Sequence, residues 1–330
     1  MSPYQYRCID DSILLPFFKK YVFSVLHRSI PYGVPANYLT IVSIVVIWSC
    51  FIYIIGVKTP DDVDVIIVFF AITIYVIFDH FDGLQAKKTG TGSPLGEILD
   101  HYSDVFNGTI IIYLFFRILQ IELGGVFYLV IWANLVAFTV TYLEQSIRKE
   151  LYFGKIGSLE GVSLILIILG SLITSQGKNF WQKNTLFDIP PHLFLVIGLI
   201  LGVFITVAGS IRRLRHIPKI FIHYLLTGSL ICFICINYQI NWHISFLVIN
   251  VYSADFILKS MKYHLLDAEI PKPDQIVYIL FLFLIFQHFF EYEIQIGFLL
   301  YGLAVTIKLL WEICQIFYKL RTFWIWWNEI

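Results

Sequence analysis

Charge is what this chain has least of. Asp, Glu, Lys and Arg supply 14% of its 330 residues and cancel to a net charge of zero, so no basic surface is on offer to nucleic acid and none is expected as a partner. Cysteine is scarce and scattered, at Cys8, Cys50, Cys232, Cys235 and Cys314. Cys232 and Cys235 have the spacing of a redox or zinc pair, but they lie in an apolar run with no His or acid beside them, so both read as small packing residues. Repeats, linkers and low-complexity segments are missing, which leaves 1–330 as one membrane domain. No cleavable signal is expected, because the opening is polar and the residues after it mix apolar with basic side chains.

What is abundant is hydrocarbon. Apolar residues make up 58% of the chain and aromatics 18%, against ~45–50% apolar in ordinary soluble domains. The composition predicts an all-α, polytopic integral membrane protein. Runs of spanning length fall near 38–57, 64–86, 96–118, 124–143, 159–175, 190–210, 221–239, 242–260, 274–290 and 295–318, about ten transmembrane helices. Lys and Arg cluster in alternate connections and at both ends, whereas Asp61, Asp62, Asp64, Glu122, Glu291 and Glu293 mark the intervening ones. The positive-inside rule therefore puts both termini and the 79–104 connection on the cytoplasmic side. Within 10–35, the stretch Ile13 to Arg28 alternates apolar and basic faces at helical spacing, as an amphipathic helix lying on the cytoplasmic leaflet does. The aromatic tail from Phe323 to Trp327 reads as an interfacial anchor, and Arg212, Arg213 and Arg215 as markers of the cytoplasmic side.

Against this background four aspartates stand out: Asp79, Asp82, Asp100 and Asp104. A carboxylate inside a membrane is costly unless it is paired, solvated or bound to a cation. Residues three and four apart share a helix face, so two adjacent antiparallel helices would aim all four carboxylates at one point. Oxygen ligands of this kind suit Mg²⁺ or Mn²⁺, and two ions would stabilise the attacking and leaving oxygens of a displacement at phosphorus. Gly83, Ala86 and Gly96 leave the helix surface nearly bare beside the acids, and Lys87 with Lys88 brings positive charge suited to a phosphate. Asn37, at the start of the first span, either contacts a cytidine or phosphate group or is an ordinary helix cap. Glu97, three before Asp100, either supports the metal site or caps the helix start, and Glu144 is a candidate support at the end of the fourth span. His80 points about 100° away from Asp79 on a helix, which keeps it out of direct contact with a metal.

The pattern Asp79-x2-Asp82-Gly83-x2-Ala86-Lys87-x8-Gly96-x3-Asp100-x3-Asp104 resembles the signature of the CDP-alcohol phosphotransferases. These are membrane enzymes that use a metal to move a phosphoalcohol or phosphatidyl group from a CDP donor. Lys87 stands where the family usually has Arg, which keeps the charge but not the planar fork. The run Thr89-Gly90-Thr91-Gly92-Ser93-Pro94-Leu95-Gly96-Glu97 followed by Asp100-His101 is similar to the eukaryotic-type choline and ethanolamine phosphotransferases. Asp11-Ser12-Ile13-Leu14, Pro35-Ala36-Asn37-Tyr38-Leu39-Thr40 and Leu159-Glu160-Gly161 fit the same branch, although Ala36 and Tyr102-Ser103 depart from it.

The resemblance implies ten spans, a catalytic core over 38–210 of about six spans, further spans over 221–318 that form a homodimer, and residence in the endoplasmic reticulum or Golgi. It also implies that a diacylglycerol hydroxyl attacks CDP-choline or CDP-ethanolamine and releases CMP. An alcohol is a poor nucleophile at neutral pH, so a base is needed, and His101 beside Asp100 is the candidate. The resemblance places Glu160 opposite this histidine, where a hydrogen-bonded carboxylate would raise its basicity. Two rivals stand beside this reading. A CDP-diacylglycerol-dependent phosphatidyltransferase would share the four aspartates but have fewer spans and no Asp-His pair. A cation transporter would show repeat symmetry and acids in both halves.

Overall fold

The structure, a computed structural model, describes residues 6–183, 190–266, 271, 272, 274–290 and 293–320. The Phe323–Trp327 tail and Glu291 lie outside the described residues. Helices occupy all ten expected segments: α1 (Ala36–Gly56), α2 (Asp62–Thr89), α3 (Pro94–Ile118), α4 (Gly125–Arg148), α5 (Ser158–Ser171), α6 (Pro191–Leu214), α7 (Lys219–Asn237), α8 (Trp242–Leu265), α9 (Val277–Phe290) and α10 (Ile294–Leu320). The chain is an all-α polytopic membrane protein.

Seven of these helices, α1, α2, α4, α6, α7, α8 and α10, are each long and apolar enough to cross a bilayer. An eighth span results if α5 is joined to Ser175–Trp181 across a bend of 114°. Among the described residues seven or eight spans meet that measure, so it does not confirm the expected count of about ten. The shortfall has physical causes: α3 carries Glu97, Asp100, Asp104 and Arg117, and α9 has only 14 residues.

Local chemistry sets the ends of the two helices that bear the aspartates. Asp61 caps α2 by accepting from Val63 and Asp64 N–H groups, and Asp64 reciprocates toward the Asp61 N–H. At the other end, Gly90 adopts a left-handed conformation (φ 70°), which costs glycine little and stops the helix. Three residues later the Ser93 hydroxyl accepts from the Gly96 N–H, and Pro94 follows at the first helical position. This tight connection turns the chain back, so the last turns of α2 run beside the first turns of α3.

Within the described residues the chain packs as two compact units. The first comprises the residues up to 122 and 150–209; α1 packs on both α2 and α3, and α5 packs on α2. Its core is aliphatic, with Ile47, Ile54, Val68, Ile72 and Val105 fully buried. The second unit, 123–149 with the residues from 210 onward, centres on α8, which packs on α4 and α10. There the Trp132 indole lies so close to Gly228 that a Cβ would sit 2.0 Å from the ring, an instance of a small residue letting membrane helices approach.

The strand-free expectation has one exception. Cys8–Asp10 (β1) pairs in parallel with Leu151–Phe153 (β2), Cys8 opposite Leu151 and Asp10 opposite Phe153. The helical part of the amphipathic segment begins only after it, as short turns over residues 15–29. Phe17, Tyr21, Val25 and Leu26 are exposed and Phe23 and His27 buried, so an apolar outer face is left for a lipid surface.

Candidate active site

A cavity of about 720 Å³ opens in the first unit, and all four aspartates line it. The i, i+3 and i, i+4 spacings do what helical geometry requires: Asp79 and Asp82 share one face of α2, Asp100 and Asp104 one face of α3. Asp79, Asp100 and Asp104 each offer an oxygen within 4.8 Å of the others. Asp82 is set apart by a partner of its own, the Thr40 hydroxyl of α1, which donates to Asp82 Oδ2 at 2.5 Å. Asp104 Oδ1 accepts from the Tyr75 hydroxyl at 2.7 Å.

Only His80 and His101 approach these carboxylates within ion-pair distance among the described residues, at 3.6 Å from Asp79 and 3.4 Å from Asp100. Among the described residues, no Lys or Arg forms an ion pair with any of the four, and Asp100 Oδ1 is buried without a hydrogen-bond partner. Several like charges around one point, one oxygen of them orphaned, fit a hard divalent cation with oxygen ligands.

His101 is buried and sits between acids. Its Nε2 is 3.4 Å from Asp100 Oδ2, and its Nδ1 is 4.0 Å from Glu97 Oε1. The Tyr6 hydroxyl is 3.3 Å from Nε2. Glu160 lines the same cavity. Its Oε1 accepts from the Ser12 hydroxyl at 2.6 Å and the Leu14 N–H at 3.1 Å, and its Oε2 from the Gly157 N–H at 2.8 Å. These bonds tie Glu160 to the N-terminal segment and to the start of its own helix, while Asp100 and Glu97 stand within 4.0 Å of the His101 ring.

The expected donor-binding residues gather as well. Asn37, Gly83, Ala86, Lys87 and Gly96 all line the cavity, with Lys19 adding a second positive charge. The cap reading of Asn37 is corrected: Pro35 holds the N-cap position and Asn37 lies inside the first turn. The two glycines differ. A Cβ on Gly83 would meet nothing within 4 Å, so its bare face opens onto the cavity. A Cβ on Gly96 would come within 2.9 Å of Asn37 Oδ1, so its bareness seats that side chain against α3. On the N-terminal side, partial desolvation raises the Asp10 carboxyl above its ordinary value.

Glu144 does not join this cavity. It is buried in the second unit and takes a bidentate hydrogen bond from Arg213, at 2.6 Å from Nε and 2.8 Å from Nη2. Arg213 is thereby committed to an internal partner. His80 lines the cavity, but its Nδ1 donates to the Val76 carbonyl at 2.9 Å and its ring stacks on Phe23 at 4.2 Å.

Three contributors escaped the sequence reading, two of which carried a weak signal. Tyr75 stands four before Asp79 and Thr40 three after Asn37, both on the facing helix surface, so spacing alone marked them as neighbours of the acids. Tyr6 had no signal, because its approach to His101 depends on the β1–β2 pairing.

A family model described as CDP-alcohol phosphatidyltransferase matches residues 34–208. The chain is 29% identical over 188 residues to an uncharacterized CDP-alcohol phosphatidyltransferase class-I family protein of Schizosaccharomyces pombe, covering 54% of this chain and 48% of the relative. Choline/ethanolaminephosphotransferase 1 of Saccharomyces cerevisiae is 29% identical over 157 residues, 44% of this chain and 39% of that protein. Cholinephosphotransferase 1 of Homo sapiens is 26% identical over 147 residues, 43% and 36%. In each case the match spans less than half of the curated relative.

Proposed function

The chain belongs to the CDP-alcohol phosphatidyltransferase family, and from that premise we propose that it transfers phosphocholine or phosphoethanolamine from a CDP-alcohol to the hydroxyl of a diacylglycerol-like lipid, releasing CMP. The observation that carries this reading is His101 at the rim of the aspartate group, 3.4 Å from Asp100. A base at that place serves an acceptor that must lose a proton, and a lipid hydroxyl is one.

In this reading Asp79, Asp100 and Asp104, with Asp82 beside them, hold Mg²⁺ or Mn²⁺, two ions in the full complement. Bound there, the metal supplies charge neutralisation for the donor's phosphates and for oxygens that gain charge during transfer. Lys87 and Lys19 attract the diphosphate to the cavity, and Asn37 and the open face of Gly83 receive the donor. His101 Nε2 takes the hydroxyl proton, while Glu97 near Nδ1 favours the tautomer in which Nε2 is the unprotonated nitrogen. The apolar flank of the cavity admits the lipid from the bilayer. By the charge pattern the site faces the cytoplasm, and the endoplasmic reticulum or Golgi and a homodimer through 221–318 belong to the same reading.

The phosphatidyltransferase reading shares the metal residues and differs in which substrate is lipid. Purified protein in lipid with Mg²⁺ or Mn²⁺ separates the two. CMP released from CDP-choline or CDP-ethanolamine only when diacylglycerol is present supports the proposal. CMP released only from CDP-diacylglycerol with a soluble alcohol overturns it.

A further inference from the structure

The N-terminal segment forms one wall of the cavity, contributing Tyr6, Asp10, Ser12, Lys19 and Phe23 to its lining. Backbone pairing holds the outer part of this wall: Asp11 N–H donates to the Phe153 carbonyl at 3.0 Å and Ile13 N–H to the Lys155 carbonyl at 3.3 Å. Farther along, the Gln85 side chain, buried in α2, donates to the Pro31, Tyr32 and Val34 carbonyls, and its Oε1 accepts from His27 Nε2 at 2.9 Å. Between these two attachments the ladder ends and the chain turns into its first helical residues. Within the segment Asp10 Oδ1 accepts from the Ser12 N–H at 2.9 Å, and from helix α5 the turn is fastened by Glu160.

We infer that Glu160 is the latch of this wall and Ser12 its counterpart, the two acting as positioning residues that keep the N-terminal segment closed over the donor site. Each carboxylate oxygen is committed. Oε1 holds the Ser12 hydroxyl and Leu14 N–H, and Oε2 holds the Gly157 N–H at the start of its own helix. Ser12 relays the contact onward, because its hydroxyl oxygen also accepts from the Leu15 N–H at 3.1 Å.

Magnitudes decide between this part and that of a partner for the histidine. A hydrogen bond to a charged group contributes roughly 1.5–3 kcal/mol. Turning Glu160 toward His101 would give up three such bonds to gain one. It would also strand the Ser12 hydroxyl and the Leu14 N–H, and an unsatisfied buried donor costs about 1–3 kcal/mol. His101 does not need the exchange, since Asp100 and Glu97 already flank it. What the latch secures is the placement of Tyr6 at His101 Nε2 and the exclusion of bulk water from the donor phosphates.

The catalytic consequence rests on the transfer reading above, but the latch itself can be tested without turnover. Backbone hydrogen exchange over residues 8–15 is measured in full-length protein in nanodiscs, for wild type, Ser12→Ala, Ser12→Thr and Glu160→Ala. Loss of one charge-assisted bond corresponds to about tenfold faster exchange. Ser12→Ala and Glu160→Ala are expected to reach at least that, the double variant to add nothing to Glu160→Ala alone, and Ser12→Thr to stay near wild type. Exchange unchanged in Ser12→Ala overturns the latch even if Glu160→Ala fails to fold. In the transfer assay Ser12→Ala raises the donor KM with the midpoint of the pH–rate profile unmoved; a Glu160→Ala midpoint that moves while exchange stays as in wild type assigns Glu160 to the histidine instead. A wild-type protein that releases no CMP from any CDP-alcohol, yet shows the expected exchange pattern, overturns the transfer reading and leaves the latch in place.

Discussion

The two units of this protein bury carboxylates in opposite ways. In the second unit every deeply buried acid among the described residues has a cation: Asp255, fully buried, takes Lys259 Nζ at 2.5 Å and Lys308 Nζ at 2.7 Å. Asp274 shares Lys308 at 3.2 Å and accepts from the Tyr301 hydroxyl at 3.3 Å, and Glu144 has Arg213. In the first unit Asp79, Asp82, Asp100 and Asp104 crowd one cavity with hydroxyls and an imidazole for company and no Lys or Arg in an ion pair among the described residues. A charge balanced within the chain marks architecture. One that the chain leaves unbalanced marks a place for something from outside.

That contrast can be broken experimentally. Asp100→Asn should lower metal-dependent transfer by about a thousandfold, since a metal contributes several kcal/mol of charge stabilisation. The metal-free protein should lose no thermal stability, because the substitution relieves like-charge repulsion; a Tm lowered together with activity would make Asp100 a structural residue. His101→Ala should cut kcat by about 10²- to 10⁴-fold with donor binding, read by equilibrium titration, largely kept. Loss of binding would instead move His101 into the donor pocket.

Asp255→Asn is the mirror experiment. It leaves Lys259 and Lys308 without their shared anion, and breaking a buried pair costs about 3–5 kcal/mol. Chemical or thermal denaturation should show that loss, while protein that remains folded should transfer at the wild-type rate. A stable but inactive Asp255→Asn would erase the distinction between the two units. Added Mg²⁺ should raise the Tm of wild type and leave that of Asp79→Asn unchanged, by linkage of about 2.7 kcal/mol at a hundredfold excess over Kd. The smallest effect is expected at Thr40→Val, which frees Asp82 Oδ2 and removes about 1 kcal/mol, read as a several-fold change in metal affinity.

Much of the first unit is legible in the linear sequence. The faces of α2 and α3 follow from spacings of three and four, and the turn between them follows from Gly90, Ser93 and Pro94. Those are interactions within one or two helical turns, governed by the same geometry in any protein. The second unit is less legible. Asp255 looks in the sequence like an acid stranded among apolar residues, Asp274 like a loop acid between Pro273 and Gln275, and Lys308 like a stray base in a span. Only packing reveals that they neutralise one another. Glu144 misleads for the same reason, since its partner Arg213 lies 69 residues away.

The sequence by itself determined that the chain lives in a membrane, that four aspartates occupy two helix faces, and that His101 stands next to them. Composition and helical periodicity are enough for each. Tertiary structure decided the rest: that Asp82 is held by Thr40, that Gly96 makes room for Asn37, and that Glu160 reaches across 148 residues to Ser12. These depend on which surfaces meet when helices pack and on which donors are left unsatisfied when they do. No local pattern carries that information, because a carboxylate takes the partners that three-dimensional packing brings within about 3 Å.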